Sequence, residues 1–211
     1  MEKRITIIGC GPGSSEFLTS AAKQAAARAE VLVGAPRLLG LFSDSPALRA
    51  EVGADIDAVL ETIATYCREK QVGVLVSGDP GCFSLAKRVT ARFGMEACHV
   101  IPGISAVQVA CARLGLAWAG ARIISMHGRE SSRTPQDFAG EECVVVLGGG
   151  KASAPWIAGL AGALGSTHRV WVCRDLTLET EQVQEVNVPY SMEMFTYARI
   201  IVVLVQRKGN A

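Results

Sequence analysis

The chain has 211 residues, 49% of them hydrophobic and 19% charged, enough apolar material for the core of one large domain or two small ones. With 21 basic against 20 acidic residues the formal charge is +1, so no global field draws nucleic acid or an anionic membrane, and partners must be recognised at a local site. Seven cysteines without a CxxC pair, no apolar run of bilayer length and no signal peptide before the first strand predict reduced thiols and a cytoplasmic protein.

The first strand is predicted over 4–8 and runs into "GCGPG", Gly9 to Gly13. Thr19 suits the N-cap of an alanine-rich helix reaching about Arg28. Apolar runs at 31–33, 72–76 and 98–101 predict further strands, and Ile56, Val59, Leu60 and Ile63 have the spacing of one helix face. Strands that are apolar throughout, without alternation, belong to a sheet covered on both sides, so the first half is predicted as a largely parallel α/β layer.

"RLGLAWAGA", 113–121, follows a predicted helix and precedes the next strand, and the domain junction is placed there. This gives an N-terminal α/β domain over 1–115 and a C-terminal α/β domain over 116–211. Beyond the junction, strands are predicted at 122–126, 143–147, 170–173 and 199–205, with a helix over 155–164. The polar segment 129–142 reads as a loop. Several connections are too short for a helix, so the second sheet should be mixed.

The opening glycines raise the question of a dinucleotide. That fingerprint needs GxGxxG and an acid at the end of the second strand, whereas the spacing here is Gly9, Gly11, Gly13, and Gly34 and Ala35 stand where the acid should be. Pro12 also removes a backbone donor from any phosphate cradle. "LGGGKAS", 147–153, fails as a Walker loop, because no glycine stands at the required position before Gly150 and Ala152 replaces the magnesium-binding hydroxyl. A tight turn at the carboxyl end of a strand needs only glycine's steric freedom, yet that edge is where open α/β sheets bind ligands.

Two more loops repeat the arrangement. "VLVSGDPGCFS", 74–84, passes from strand through Gly-Asp-Pro to a helix, and by itself Asp79 would be a turn or cap residue. "VIPGISAVQVA", 100–110, brings Pro-Gly and then Ser105 and Ala106 to a helix start, where free amides can bind a polar ligand.

Taken in order, "GCGPGSSEFLT", "SGDPGCFS", "IPGISAVQVACARLGL" and "SMHGRE" resemble the tetrapyrrole methylase family over nearly the whole chain. The segment 103–130, with its His-Gly-Arg triplet, is similar to that family's precorrin C5-methyltransferase branch, and "APWIAGLAGAL" and "RVWVCRDLTLETEQVQE" agree with it. The resemblance implies two α/β domains with the active-site cleft between them, S-adenosyl-L-methionine as cofactor, and a homodimer. By motif position Pro12 would flank the cofactor, Gly78, Asp79, Pro80 and Cys82 would form one wall, and Ser105 and Ala106 another. Leu147, taken to follow a strand ending at Val146, and Leu176 would add contacts from the second domain. Gly11 and Gly13 would face the tetrapyrrole, and Arg129 and His127 would meet its carboxylates.

The implied reaction is methyl transfer to C5 of a precorrin or cobalt-precorrin in cobalamin biosynthesis. It demands no catalytic base, although His127 is an alternative proton-transfer group. Ser131, Ser132 and Arg133 either extend the binding loop or are surface. His99 and His168 read as structural, with no metal site. The expected chain is a standalone C5 enzyme, leaving C15 methylation to a separate protein, with no nucleic acid and no membrane as partner. Three rivals stand beside this reading: methylation of ribosomal RNA or a translation factor on the same fold, a nucleotide-binding oxidoreductase, which the acid-free second strand opposes, and a binding module without turnover.

Overall fold

The computed structural model describes residues 4–126, 134–187 and 189–207. The chain divides into two compact units, Met1–Ser105 and Ala106–Ala211. The first alternates strand and helix: β1 (Ile5–Gly9), α1 (Ser20–Arg28), β2 (Val31–Gly34), α2 (Pro36–Leu39), β3 (Leu48–Glu51), α3 (Ile56–Tyr66), β4 (Val72–Val76), α4 (Ala86–Phe93) and β5 (Cys98–Ile101). The strands pair in the order β3-β2-β4-β1-β5, and every pair is parallel.

Both faces of this sheet are covered, which is why its central strands are apolar without alternation. Ile5, Ile7, Val33 and Val74 pack with Val59, Leu60 and Ile63 of α3 and Val89 of α4, while Ile8, Leu32 and Leu75 pack with Ala22, Ala25 and Ala26 of α1 and Leu38 and Leu39 of α2. Each such fully buried aliphatic side chain contributes about 1.5–3 kcal/mol. Thr19 caps α1 as expected, its Oγ1 accepting the Ala22 amide at 3.1 Å. Asp55 caps α3 through Oδ1, which accepts the amides of Asp57 and Ala58.

Some expectations are corrected. Arg4 lies before β1, and Ile56 is exposed, so the buried stripe of α3 is Val59, Leu60 and Ile63. Edge strand β3, "LRAE", escapes the apolar pattern because its pairing with β2 is backbone alone and its side chains are mostly exposed.

The second unit contains α5 (Ala106–Arg113), β6 (Arg122–Ser125), β7 (Cys143–Gly148), α6 (Gly150–Leu164), β8 (His168–Arg174), β9 (Gln182–Val186) and β10 (Ile200–Gln206). Its sheet has the order β6-β7-β10-β8-β9 and is mixed, as predicted: β6 and β7 are parallel, and the remaining pairs are antiparallel. Val144, Val146, Val170, Val172, Val202 and Leu204 bury one face against Ile157, Leu160 and Leu164 of α6.

Here α6 begins at Gly150, ahead of the expected start at Pro155. Pro155 gives up one hydrogen bond near the helix start, where Ser153 Oγ stitches the turn by accepting the Gly149 amide and donating to the Gly150 carbonyl, each at 3.1 Å. The segment read as a polar loop carries a short 3-10 turn, Pro135–Phe138, whose fully buried Phe138 meets Trp156 edge-on at 6.0 Å. Among the described residues no helix is long and apolar enough to cross a membrane.

Candidate functional site

In the first unit α1 follows β1 onto one face of the sheet, and α4 follows β4 onto the other. β1 and β4 are neighbours, so their carboxyl ends open a crevice of the kind that binds ligands in parallel sheets. The loops after β1, β4 and β5 all reach this edge, and they are locked together through backbone. Gly11 and Gly78 form an antiparallel bridge, Gly11 donating at 3.3 Å and Gly78 donating back at 2.8 Å. Both have positive φ, 70° and 66°, which glycine adopts without strain.

Asp79 ties the second loop to the third. Its Oδ2 accepts the Gly103 amide at 3.0 Å and its Oδ1 accepts the Gly81 amide at 2.8 Å. That tie exists because three backbones meet closely: a Cβ on Gly103 would lie 2.3 Å from the Gly78 oxygen and 2.9 Å from the Gly9 Cα, and a Cβ on Gly9 would lie 2.6 Å from the Gly103 nitrogen. Ser84 Oγ donates to the Pro80 carbonyl at 2.6 Å and accepts the Ala86 amide, turning the loop into α4.

Asp79 is the one charged residue in 9–14, 77–84 and 102–106 together. Its carboxylate is engaged by backbone amides, so beside that one anion these loops offer peptide groups, Ser105, Pro12 and the half-buried Cys82, a lining without a cation. Such a lining suits an uncharged nucleoside with an amino-acid tail and offers no cation for a pyrophosphate. The second-strand position of a dinucleotide site is closed as well, since a Cβ on Gly34 would meet the Leu75 Cβ at 2.9 Å. Cys10, fully buried beneath the first loop, is pushed up to about 12 by burial, so its thiol is no nucleophile at neutral pH.

On the second unit Leu147 lies inside β7, paired with Ile201, rather than after the strand as expected, and it is half-buried. Leu176 is buried in the turn after β8, between Asp175 and Thr177, whose φ values are 47° and 72°. Glu181 holds this turn: Oε2 accepts the Thr177 amide at 2.6 Å, while Oε1 accepts from Arg113 Nε at 2.6 Å. Arg113 is the last residue of α5, whose first residue is Ala106. One helix therefore runs from a candidate contact at its start to the brace of another at its end.

Phe83 is the third non-glycine residue with positive φ, at 49°, and its side chain is 61% exposed. Among the described residues, all the non-glycine positions in this costly conformation thus flank candidate residues, Cys82 on one unit and Leu176 on the other. Sequence reasoning missed Phe83, for which the only signal was an aromatic beside Gly-Cys in a turn. His127 and Arg129, with Ser131, Ser132 and Arg133, lie outside the described residues. His168 is fully buried with both ring nitrogens engaged, by Thr167 Oγ1 at 2.8 Å and the Glu141 carbonyl at 2.9 Å, as a structural histidine should be. His99 is instead exposed, beside a groove of about 540 Å³ shared with Thr6, Arg28 and Gln71 at the amino-terminal ends of the strands. That groove lies at the opposite edge from the glycine loops.

Comparison with known proteins shows the family and the fold. Residues 4–189 match the model of the tetrapyrrole (corrin/porphyrin) methylases. The chain is 36% identical over 194 residues to the cobalt-precorrin-7 C(5)-methyltransferase of Salmonella typhimurium, covering 89% of this chain and 95% of that one. Among solved structures, the precorrin-6Y methylase of Archaeoglobus fulgidus superposes with a TM-score of 0.71 at 24% identity, covering 97% of each chain. The uroporphyrin-III C-methyltransferase of Thermus thermophilus, in complex with S-adenosylhomocysteine, superposes with a TM-score of 0.76 at 21% identity, covering 96% of this chain and 97% of that one.

Proposed function

The chain belongs to the tetrapyrrole methylase family, and from that premise we propose that it transfers a methyl group from S-adenosyl-L-methionine to C5 of a precorrin-type macrocycle, cobalt-precorrin-7 or its metal-free counterpart. The observation that carries this reading beyond sequence similarity is the cation-free, backbone-built edge over β4, β1 and β5, fixed by the Gly11–Gly78 bridge and the Asp79–Gly103 tie.

The residues fit this cofactor by their chemistry. Peptide groups of the three loops, with Pro12, Gly78, Pro80, Cys82, Ser105 and Ala106, supply the hydrogen-bonding and apolar surface that adenosine and a methionine tail require, and Leu147 and Leu176 are assigned to the same cofactor by motif position. Asp79 keeps the wall in place through Gly103 and Gly81. Gly11 and Gly13 present the first turn to the tetrapyrrole, and His127 and Arg129 are assigned to its carboxylates.

When bound, S-adenosylmethionine supplies a methyl group already activated by its sulfonium. The chain's task is then to hold an electron-rich ring carbon in line with that methyl, an orientation effect that can replace a large part of the barrier without a dedicated base. The proton released afterwards leaves through the substrate's own nitrogens or water. Incubation of the protein with tritiated S-adenosylmethionine and, in parallel, cobalt-loaded precorrin, metal-free precorrin and ribosomal RNA tests the substrate class. Label entering a precorrin supports the reading, and label entering only RNA overturns it.

A further inference from the structure

In the second sheet the pairing puts Ile200 level with both Gly148 and Arg174. The end of β7, the start of β10 and the end of β8 therefore share one edge, and the cations Lys151, Arg199 and Arg174 gather there. The edge is cross-tied by backbone: the Gly150 amide donates to the Tyr197 carbonyl at 3.1 Å and the Asp175 amide to the Arg199 carbonyl at 3.2 Å. Arg174 lies with its guanidinium carbon 4.0 Å from the centroid of the Tyr197 ring, which is itself 44% exposed. Stacking on an aromatic face restricts an arginine's rotamers and leaves its fork of N–H donors free in the plane of the guanidinium.

Among the described residues no carboxylate forms an ion pair with Arg174. Arg113, Arg122 and Arg169 of the same unit are paired with Glu181, Glu141 and Glu185. Among the described residues Arg174, Arg199 and Lys151 have no such pair, although Asp175 adjoins Arg174 in sequence. Leu176, a proposed cofactor contact, lies two positions beyond Arg174. We propose that Arg174, oriented by Tyr197 at the sheet edge where Arg199 and Lys151 also stand in the backbone, is a specificity residue that binds a side-chain carboxylate of the tetrapyrrole substrate. This rests on the reading that the substrate is such a polycarboxylate.

Calorimetric titration with cobyrinic acid, a corrin polycarboxylate, with its amidated form and with S-adenosylhomocysteine tests the assignment. Losing a charge-assisted hydrogen bond should weaken cobyrinic acid binding about tenfold in Arg174→Ala. Arg174→Lys, which keeps the charge and loses the fork, should lose less, and Tyr197→Leu should also bind more weakly because the arginine is no longer oriented. Affinity for the amidated corrin and for S-adenosylhomocysteine should stay within about twofold of wild type, since neither is bound through this arginine. Unchanged cobyrinic acid affinity in both Arg174 variants overturns the proposal, and so does an equal loss for S-adenosylhomocysteine, which would make Arg174 a cofactor contact. Wild-type protein that methylates a precorrin while Arg174→Lys and Arg174→Ala keep its substrate KM removes this proposal alone. Wild-type protein that binds S-adenosylhomocysteine but neither binds nor methylates a corrinoid removes the functional reading with it.

Discussion

Asp79 Oδ2 accepts the amide of Gly103 at 3.0 Å, joining the loop after β4 to the loop after β5 over the end of β1. The bond makes Asp79 a brace of the proposed cofactor wall, where the sequence suggests a turn residue or a direct contact. Asp79→Ala, which strands the Gly103 and Gly81 amides, is expected to cost about 1–3 kcal/mol of stability and to weaken S-adenosylhomocysteine binding in the same variant. Thermal melting alongside calorimetry checks this. Weaker binding with an unshifted melting temperature would mean that the carboxylate touches the ligand and does not brace the loops.

The glycine packing predicts a graded response at the same edge. In Gly103→Ala the new methyl would stand 2.3 Å from the Gly78 oxygen, so the loops must separate, and overpacking of this kind costs roughly 1–3 kcal/mol or more. Loss of S-adenosylhomocysteine binding should accompany it. Gly53→Ala meets nothing within 4 Å and should leave stability and binding near wild type. Indistinguishable melting curves and affinities for the two variants would show that the loops are not close-packed in solution.

Acid stability should report on the brace of the Leu176 turn. The Arg113 hydrogen bond holds Glu181 below its ordinary 4.5, and the Arg169 hydrogen bond does the same for Glu185. A carboxylate with a depressed folded-state pKa stabilises the fold fully above its unfolded value and loses that contribution as pH falls through the folded value. Glu181→Gln should therefore be less stable than wild type at neutral pH, with the gap closing below about pH 4.5. Urea unfolding at stepped pH measures it, and a gap that stays constant with pH would rule out the linkage.

Thiol chemistry should divide the cysteines by environment. Burial pushes Cys173 up to about 12, and burial with neighbouring Cys111 pushes Cys143 up to about 11. Cys10, Cys98 and Cys111 are buried, whereas Cys67 and Cys82 are partly accessible. Native-state alkylation at pH 8 followed by mass mapping should label Cys67 and Cys82 first, and S-adenosylhomocysteine should protect Cys82 alone. Early labelling of Cys10 would contradict the packing under the first loop, and unprotected Cys82 would remove it from the proposed wall.

The parallel sheet was legible because burial on both faces leaves a direct mark, uninterrupted apolar strands such as "VGVLV", and the Thr19 cap because its hydrogen bond is local. Elements stabilised by something other than their own side chains were not. β3 exists through backbone pairing to β2, and α6 starts ahead of Pro155 because Ser153 stitches its first turn. Phe138 was hidden in a polar stretch, its burial decided by the core of the second unit that it joins, where Trp156 of α6 meets its ring edge-on. The candidate site divides in the same way. Its glycines announced a tight turn, but Gly9, Gly78 and Gly103 pack against residues of other loops, and the Asp79–Gly103 bond is visible only when β4 and β5 flank β1. Arg174 on Tyr197 joins the end of β8 to the segment before β10 and had no sequence signature.

The most direct test of the account is the position of the transferred carbon. The protein is incubated with S-adenosylmethionine carrying a 13C methyl group and with cobalt-precorrin-7 and its metal-free counterpart, and the product is mapped by carbon NMR. A single enriched methyl on C5 is the predicted result. Enrichment at another ring carbon, or none while S-adenosylhomocysteine still binds, would contradict it.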